Sequence, residues 1–347
     1  MEKFISVIIP NYNGSATIGK CLESVFESSY GNFEVVVVDD CSSDNSVKII
    51  KQFPCRLIEL KTHGGAAKAR NAGALHSSGE VFFFIDADCL LSIDTLSLAN
   101  RAISEAGPDT VIGGTYTPIP YDKDFFSTFQ SVFIHYFEIK NTRRPDYVAT
   151  HAMVISAETF RKYDGFNEDF LPILEDVEFS HRLNRGGCRL VMDPGITVRH
   201  IFKFTLIRSI LNAYRKARYW TIYSIINGDM LTDSGTASRE LKINGIAYWA
   251  WQLCLLLFVL SGSLAWLFLL AVLVGLNIFV SRGLLAEFYK TRGFQFALPA
   301  ALYYLMLYPA PVWAGTAAGL AAYVLQRVKC TLLGAPFHKY GCIRTPR

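Results

Sequence analysis

Asp86-Ala87-Asp88 sets two carboxylates one residue apart, directly after the apolar run Val81-Phe82-Phe83-Phe84-Ile85. At the end of a strand such a pair can turn to one side once the chain leaves the sheet. Its hard oxygens then suit Mg²⁺ or Mn²⁺, ions that keep bound water and bridge phosphate oxygens. Taken alone, the triplet is more readily a turn or the N-cap of a following helix. A second acidic pair, Glu175-Asp176, opens a segment of helical pattern, Val177 to Arg185. Carboxylates there gain from the helix dipole, by under about 1 kcal/mol each, whatever else they do. His200, after Val198, offers an imidazole nitrogen that could ligate a metal or simply satisfy a structural contact.

These residues need a frame. From Met1 to about His200, short runs rich in Val, Ile and Phe alternate with longer helical segments, the pattern of βαβ units in a mostly parallel sheet flanked by helices. The expected strands are Phe4 to Ile9, Phe33 to Val38, Arg56 to Leu60 and Glu80 to Ile85. Uninterrupted apolar stretches such as Val35-Val36-Val37-Val38 imply strands covered on both faces. Ligands of such sheets sit at the carboxyl ends of the strands. Polar residues follow three of the four directly: Pro10-Asn11-Tyr12-Asn13-Gly14, Asp39-Asp40-Cys41-Ser42-Ser43-Asp44 and Asp86-Ala87-Asp88.

The remainder of the 347-residue chain is of another kind. Hydrophobic residues make up 51% of the sequence and mean hydropathy is +0.25, which is too apolar for an ordinary soluble enzyme. Ile246 to Ser281 carries no charge over 36 residues, too long for one crossing at about 1.5 Å per residue through about 30 Å of hydrocarbon. Two helices turning at Ser261-Gly262-Ser263 fit it. A second uncharged run, Phe294 to Gln326, is broken near Pro309-Ala310-Pro311, which fits another hairpin or one tilted, kinked span, and basic residues flank both runs. The positive-inside rule then favours two hairpins, four spans over 246–326, with a basic tail 327–347 on the cytoplasmic side, although two or three spans also fit. Residues 201–245 form a linker: between Arg199 and Gly228 six basic residues and no acidic one are interleaved with aromatic and aliphatic side chains. That suits helices in the membrane interface, or a solvated basic helix on the first domain.

A net charge of +4 without a long basic block argues against a nucleic-acid ligand. Eight scattered cysteines, without CxxC or zinc spacing, fit reduced thiols. The N-terminus enters an apolar strand without a secretory signal pattern, so the first domain is expected in the cytoplasm.

Ser6-Val-Ile-Ile-Pro10-Asn-Tyr12-Asn-Gly14, Val35 to Asp40 with Ser42, Ser43 and Asp44, Gly64-Gly65-Ala-Ala-Lys-Ala-Arg70-Asn71-Ala-Gly73 and Asp86-Ala-Asp88 follow one another in an informative order. Gly165-Phe166-Asn167-Glu168, Glu175-Asp176-Val-Glu-Phe-Ser-His-Arg182 and His200 continue it. Together they resemble the family-two glycosyltransferases of the GT-A, Rossmann-like α/β fold, over roughly residues 4 to 200. The resemblance implies a nucleotide-diphosphate sugar donor, with Pro10 and Tyr12 flanking base and ribose. One of Asp39 and Asp40 would read the base, Arg70 would reach the nucleotide, and Asp86 would contact the ribose. It also implies Mn²⁺ or Mg²⁺ on Asp88, with His200 a further ligand. Asp176 would be the base that deprotonates the acceptor hydroxyl, with Glu175 orienting it or the acceptor.

Processive synthases of the wider family carry Gln-x-x-Arg-Trp after the acidic helix, whereas this chain has only Arg215-Lys-Ala-Arg218-Tyr219-Trp220. Single-sugar transfer with inversion, to a lipid-linked or membrane-proximal acceptor in cell-envelope glycan synthesis, is therefore favoured over processive synthesis. A nucleotidyltransferase would need a basic glycine-rich loop after the first strand, and Pro10 to Gly14 has no Lys or Arg. An inactive membrane scaffold is the remaining alternative, and the presence of both Asp88 and Asp176 speaks against it. Self-association through a membrane hairpin is also possible.

Overall fold

A computed structural model describes residues 2–332, so the basic residues Lys339, Arg344 and Arg347 and the thiol of Cys342 lie outside the described residues. The seven other cysteines are free thiols. The chain divides into two compact units, Met1–Lys123 with Phe137–Lys203, and Asp124–Tyr136 with Phe204–Arg347.

In the first unit, β1 (Ile5–Asn11), β2 (Phe33–Asp39), β3 (Arg56–Glu59) and β4 (Val81–Phe84) fall where the apolar runs predict them. β5 (Cys89–Leu91), β6 (Thr110–Tyr116), β7 (Met153–Ser156) and β8 (Arg189–His200) complete an eight-stranded sheet of order β3-β2-β1-β4-β7-β6-β8-β5. Only the β3-β2-β1-β4 half is uniformly parallel. β7 runs antiparallel to both β4 and β6, and β5 antiparallel to β8, while β6 and β8 are parallel. The expected mostly parallel sheet is thus a mixed one. Helices α1 (Ile18–Phe26), α2 (Ser46–Ile50), α3 (Ala66–Leu75), α4 (Thr95–Glu105), α6 (Ala157–Lys162) and α7 (Glu175–Arg185) belong to this unit. α5 (Phe125–Ile139) belongs to the second unit as far as Tyr136.

Every residue of β4 is buried, and the reason for its aromatic run lies in the core. Phe82 and Phe84 pack with Phe160 of α6, Phe166 and Phe179 of α7, with ring centroids 4.8–5.6 Å apart along the chain of contacts. Edge-to-face and tilted rings at this spacing add about 0.5–1.5 kcal/mol per pair beyond area burial. The cluster fixes α7, which opens with Glu175-Asp176, against the strand that runs into Asp86-Ala-Asp88. Asn71 of α3 adds a polar clamp, donating to Phe166 O (2.8 Å) and accepting from Phe166 N (2.9 Å).

The second unit is helical: α8 (Leu206–Asn227), α9 (Arg239–Ser261), α10 (Ala265–Arg292), α11 (Phe294–Leu302), a π-helical turn (Tyr303–Leu307) and α12 (Pro309–Leu332). Gly262, at φ 66°, ends α9 where the sequence predicts the turn. Among the described residues, three helices are long and apolar enough to cross a membrane: Arg239–Ser261, Ala265–Arg292 and Phe294–Leu332. The second uncharged run is therefore one continuous, locally distorted helix, the single kinked span of the two readings, and not the further hairpin that the charge pattern favours. Proline at 309 removes a backbone donor and crowds the carbonyl four residues earlier, at Leu305. That carbonyl lies in the π turn, whose wider winding absorbs the mismatch without reversing the chain. α8, read as interfacial, packs along α12, with Tyr214 O and Arg218 O so near Gly315 and Gly319 that a Cβ at either would stand 2.2 or 2.5 Å from them. Two small residues four apart permit such backbone approach.

Candidate active site

The acidic pair stands where the strand order turns it into a site. Asp86 and Asp88 leave the carboxyl end of β4, and β5 begins at once with Cys89, which pairs with His200 at the end of β8. Ile201 N donates to Asp88 O at 2.8 Å, which locks that register. An antiparallel ladder thus brings His200 Nε2 to 3.3 Å from Asp88 Oδ1, across 112 residues of sequence. Cys89 Sγ joins the same cluster, all three ligand atoms lying within 4.8 Å of one another. Burial and the charges of Asp88 and Asp86 raise the Cys89 thiol well above its usual value, so it stays protonated. The donors fit for an ion are therefore an oxygen and an imidazole nitrogen, which suits Mn²⁺ or Mg²⁺ better than a thiolate-seeking metal. Although Asp88 keeps 40% of its side-chain surface, desolvation and then the charge of Asp86 push its pKa to about 7. A cation there would relieve the same repulsion.

Arg70 ties this acidic end to α7. Only 4% exposed, it donates from Nη2 to Asp86 Oδ1 at 2.7 Å and from Nη1 to Glu175 Oε1 at 2.6 Å. Burial opposes the charge on Asp86, but Arg70, His151 and His200 outweigh it and lower the Asp86 pKa. The guanidinium expected to reach a nucleotide is thus committed to two carboxylates of the site. Glu175 is correspondingly held by Arg70. Asp176 accepts from Thr150 N (3.3 Å) and Val177 N (2.9 Å). Desolvation, then the charge of Glu175, raises its pKa to about 6. Leu174, at the N-cap of α7, has φ 75°, a left-handed conformation that a side chain other than glycine adopts at a cost.

Asp39 and Asp40 are both buried and both enlisted. Asp39 accepts from Asn11 Nδ2 (2.7 Å), Ser42 N (2.9 Å) and Ser42 Oγ (2.6 Å), which shapes the loop after β2. Asp40 accepts from Gly64 N and Gly65 N, each at 2.7 Å, and lies 2.9 Å from His63 Nδ1. Gly65 has φ 90° at the entry to α3, a backbone state that needs glycine. Pro10 sits on β1 opposite Val38. Tyr12 is 52% exposed and stacks on His63, with centroids 4.1 Å apart.

Reasoning from sequence missed His63, which only its place before Gly64-Gly65 could have flagged. It also missed His151, buried, stacked on Tyr116 at 4.0 Å and 3.4 Å from Glu138. Burial alone would lower the His151 pKa, but Glu138, Asp86 and Asp176 raise it instead. It is a buried imidazole among the acids, and nothing local in Ala149-Thr150-His151-Ala152 announces it.

Residues 6–164 match the profile of glycosyl transferase family 2. Residues 6–164 carry a family-two glycosyltransferase domain. Among related proteins, the glycosyltransferase GlyG of Streptococcus pneumoniae serotype 4 is 31% identical over 131 residues, 36% of this chain and 44% of that one. The UDP-Glc:alpha-D-GlcNAc-diphosphoundecaprenol beta-1,3-glucosyltransferase WfgD of Escherichia coli is 39% identical over 90 residues, 25% of this chain and 36% of that one. The chain thus spans less than half the length of these relatives. The mannosyltransferase PcManGT from Pyrobaculum calidifontis, solved with GDP-Man and Mn²⁺, superposes with a TM-score of 0.55 at 19% identity, over 94% of this chain and 88% of that one. The likeness establishes the GT-A fold.

Two consequences of the geometry can be measured. Arg70→Met leaves the Asp86 and Glu175 carboxylates without their common partner and is expected to destabilise the protein by about 3 kcal/mol. Denaturant unfolding in detergent reads the loss, and adding Glu175→Gln is expected to recover part of it. His200→Ala keeps the β5–β8 ladder, which is backbone, but removes an imidazole donor. Mn²⁺ affinity, measured by calorimetry, is expected to fall by about tenfold or more, since even outer partners of a metal cost that much. Unchanged affinity would remove His200 from the ligand set.

Proposed function

We propose that the chain is an inverting, metal-dependent glycosyltransferase that moves one sugar from a nucleotide-diphosphate donor to a lipid-linked or membrane-proximal acceptor, with its catalytic unit on the cytoplasmic side of the membrane it spans. The observation that carries this reading is the Arg70 bridge: one buried cation holds the Asp86 end of the metal-suited pair and the Glu175 end of the base-bearing helix within hydrogen-bond reach of itself.

The residues divide the work by charge and position. Exposed Tyr12, backed by His63, is a stacking surface for a base, and Asp39 or Asp40 accepts a base N–H. Asp86 faces the ribose, and its bond to Arg70 holds that carboxylate ionised. Asp88 and His200 would hold Mn²⁺ or Mg²⁺, which when bound acts as a Lewis acid toward the diphosphate leaving group. Asp176 takes the proton of the acceptor hydroxyl as that oxygen forms a bond to the anomeric carbon on the face opposite the diphosphate, so one displacement inverts the centre. Its raised pKa, about 6, places it close to neutral pH, where it is ionised yet basic enough to accept a proton. Glu175, pinned by Arg70, keeps the start of α7 in place.

The direct test is thermal stability of the full chain in detergent with UDP-, GDP- and dTDP-sugars, with and without Mn²⁺. A ligand at a hundred times its Kd stabilises by about 2.7 kcal/mol. Stabilisation by one nucleotide class, dependent on Mn²⁺, is the expected result, and indifference to all of them would sink the reading.

A further inference from the structure

The second unit contains an apolar hollow of about 270 Å³ among α8, α9 and α12, walled in part by Lys216, Trp220, Lys242, Ile246, Trp313 and Thr316. A second hollow of about 670 Å³ continues it along α9 and α12, sharing Ile246 and Trp313 and adding Tyr248, Trp249 and Ala317. Both helices are among those long and apolar enough to cross a membrane. Polar groups are sparse along this furrow, so ordered water would find few of the two to four partners it needs there. Hydrocarbon would not be penalised in the same way.

Charge marks one end. Lys242 is the last charged residue before the sequence runs uncharged to Ser281, so it stands where α9 passes from polar to apolar surroundings. Its Nζ donates to Thr232 O at 2.6 Å, which fixes the ammonium near the wall. Lys216 comes from α8, a helix with Arg208, Arg215 and Arg218 and no acidic residue. Two ammonium groups beside an aromatic-walled furrow form the complement of an amphiphile: an anionic head and a long hydrocarbon tail.

We infer that this furrow binds a long-chain lipid phosphate, its phosphate met by Lys216 and Lys242 and its tail lying along Ile246, Trp313 and Ala317. Resting on the transferase reading for its role, this lipid is the anchor of the acceptor.

Native mass spectrometry of the full chain in detergent, titrated with farnesyl phosphate and with farnesol, tests the site without calling on transfer. Farnesyl phosphate is expected to bind saturably and more tightly than farnesol. Lys216→Gln and Lys242→Gln are each expected to weaken the phosphate by about tenfold or more, the loss of a charge-assisted contact, and to leave farnesol unchanged. Thr316→Phe, which fills the hollow, is expected to weaken both. Equal binding of the two ligands would overturn the inference, as would variants indistinguishable from the parent chain. A dimer that Thr316→Phe dissociates would also overturn it, since a second copy would then be the occupant. Thermal shifts with nucleotide sugars on the same samples separate the two ideas: lipid binding without nucleotide stabilisation supports the furrow and sinks the transferase.

Discussion

Asp176→Asn is expected to abolish sugar transfer, leave donor binding intact and make the folded protein more stable. Loss of a positioned base costs about 10²–10⁴ in rate, and an amide oxygen in place of Oδ1 still accepts from Val177 N, while the longer bond from Thr150 N to Oδ2, at 3.3 Å, is given up. The stability change follows from the direction of its pKa. In the fold the carboxyl is pushed up to about 6, from an ordinary value of 3.8, so between the two the folded state holds a proton that the unfolded state has already released. Falling pH stabilises this site through that window, and above it the ionised group works against folding. An uncharged Asn removes that cost at pH 7, a gain of about 1–3 kcal/mol, read as a rise in Tm. The same sign governs activity. The base must be ionised, so kcat/KM of the parent enzyme is expected to fall about tenfold per unit of pH once below about 6. Full turnover by the variant would remove Asp176 from the mechanism.

Asp88→Asn carries the other large effect. It keeps the side-chain volume and the Asp88 O to Ile201 N bond that sets the β5–β8 register, but takes away the charged oxygen beside His200. Transfer is expected to drop by about 10³, the scale on which preorganised stabilisation of a developing charge operates. Stabilisation by the nucleotide sugar should lose its dependence on Mn²⁺. Because one of two repelling carboxylates is gone, the protein itself should be no less stable than the parent. Donor-dependent turnover at the parent rate, with Mn²⁺ still required, would place the ion elsewhere.

These two variants separate roles that wild-type kinetics would merge. Asp176→Asn leaves metal-dependent donor binding and loses chemistry, whereas Asp88→Asn loses both. Glu175 and Arg70 belong to neither class, since each holds the other and their loss should register first in folding.

Local chemistry in the sequence determined the first half of the sheet, the strand ends where β1, β2 and β4 release polar residues, and the acidic pairs at 86–88 and 175–176. Alternating apolar runs and helix starts are written in neighbouring residues, so they are legible without a fold. The uncharged runs after Lys242 were legible for the same reason, because the free energy of an apolar helix in lipid is a sum over its own side chains. The strand reversals from β5 onward, the pairing of Cys89 with His200, the seat of Arg70 between Asp86 and Glu175, and the buried His151 beside Glu138 were decided only in the tertiary structure. Each depends on which distant groups share a low-dielectric interior, and no local pattern encodes that. The continuous helix through Pro309 belongs with them: proline signals a break, and only the surrounding winding decided that the chain would carry on.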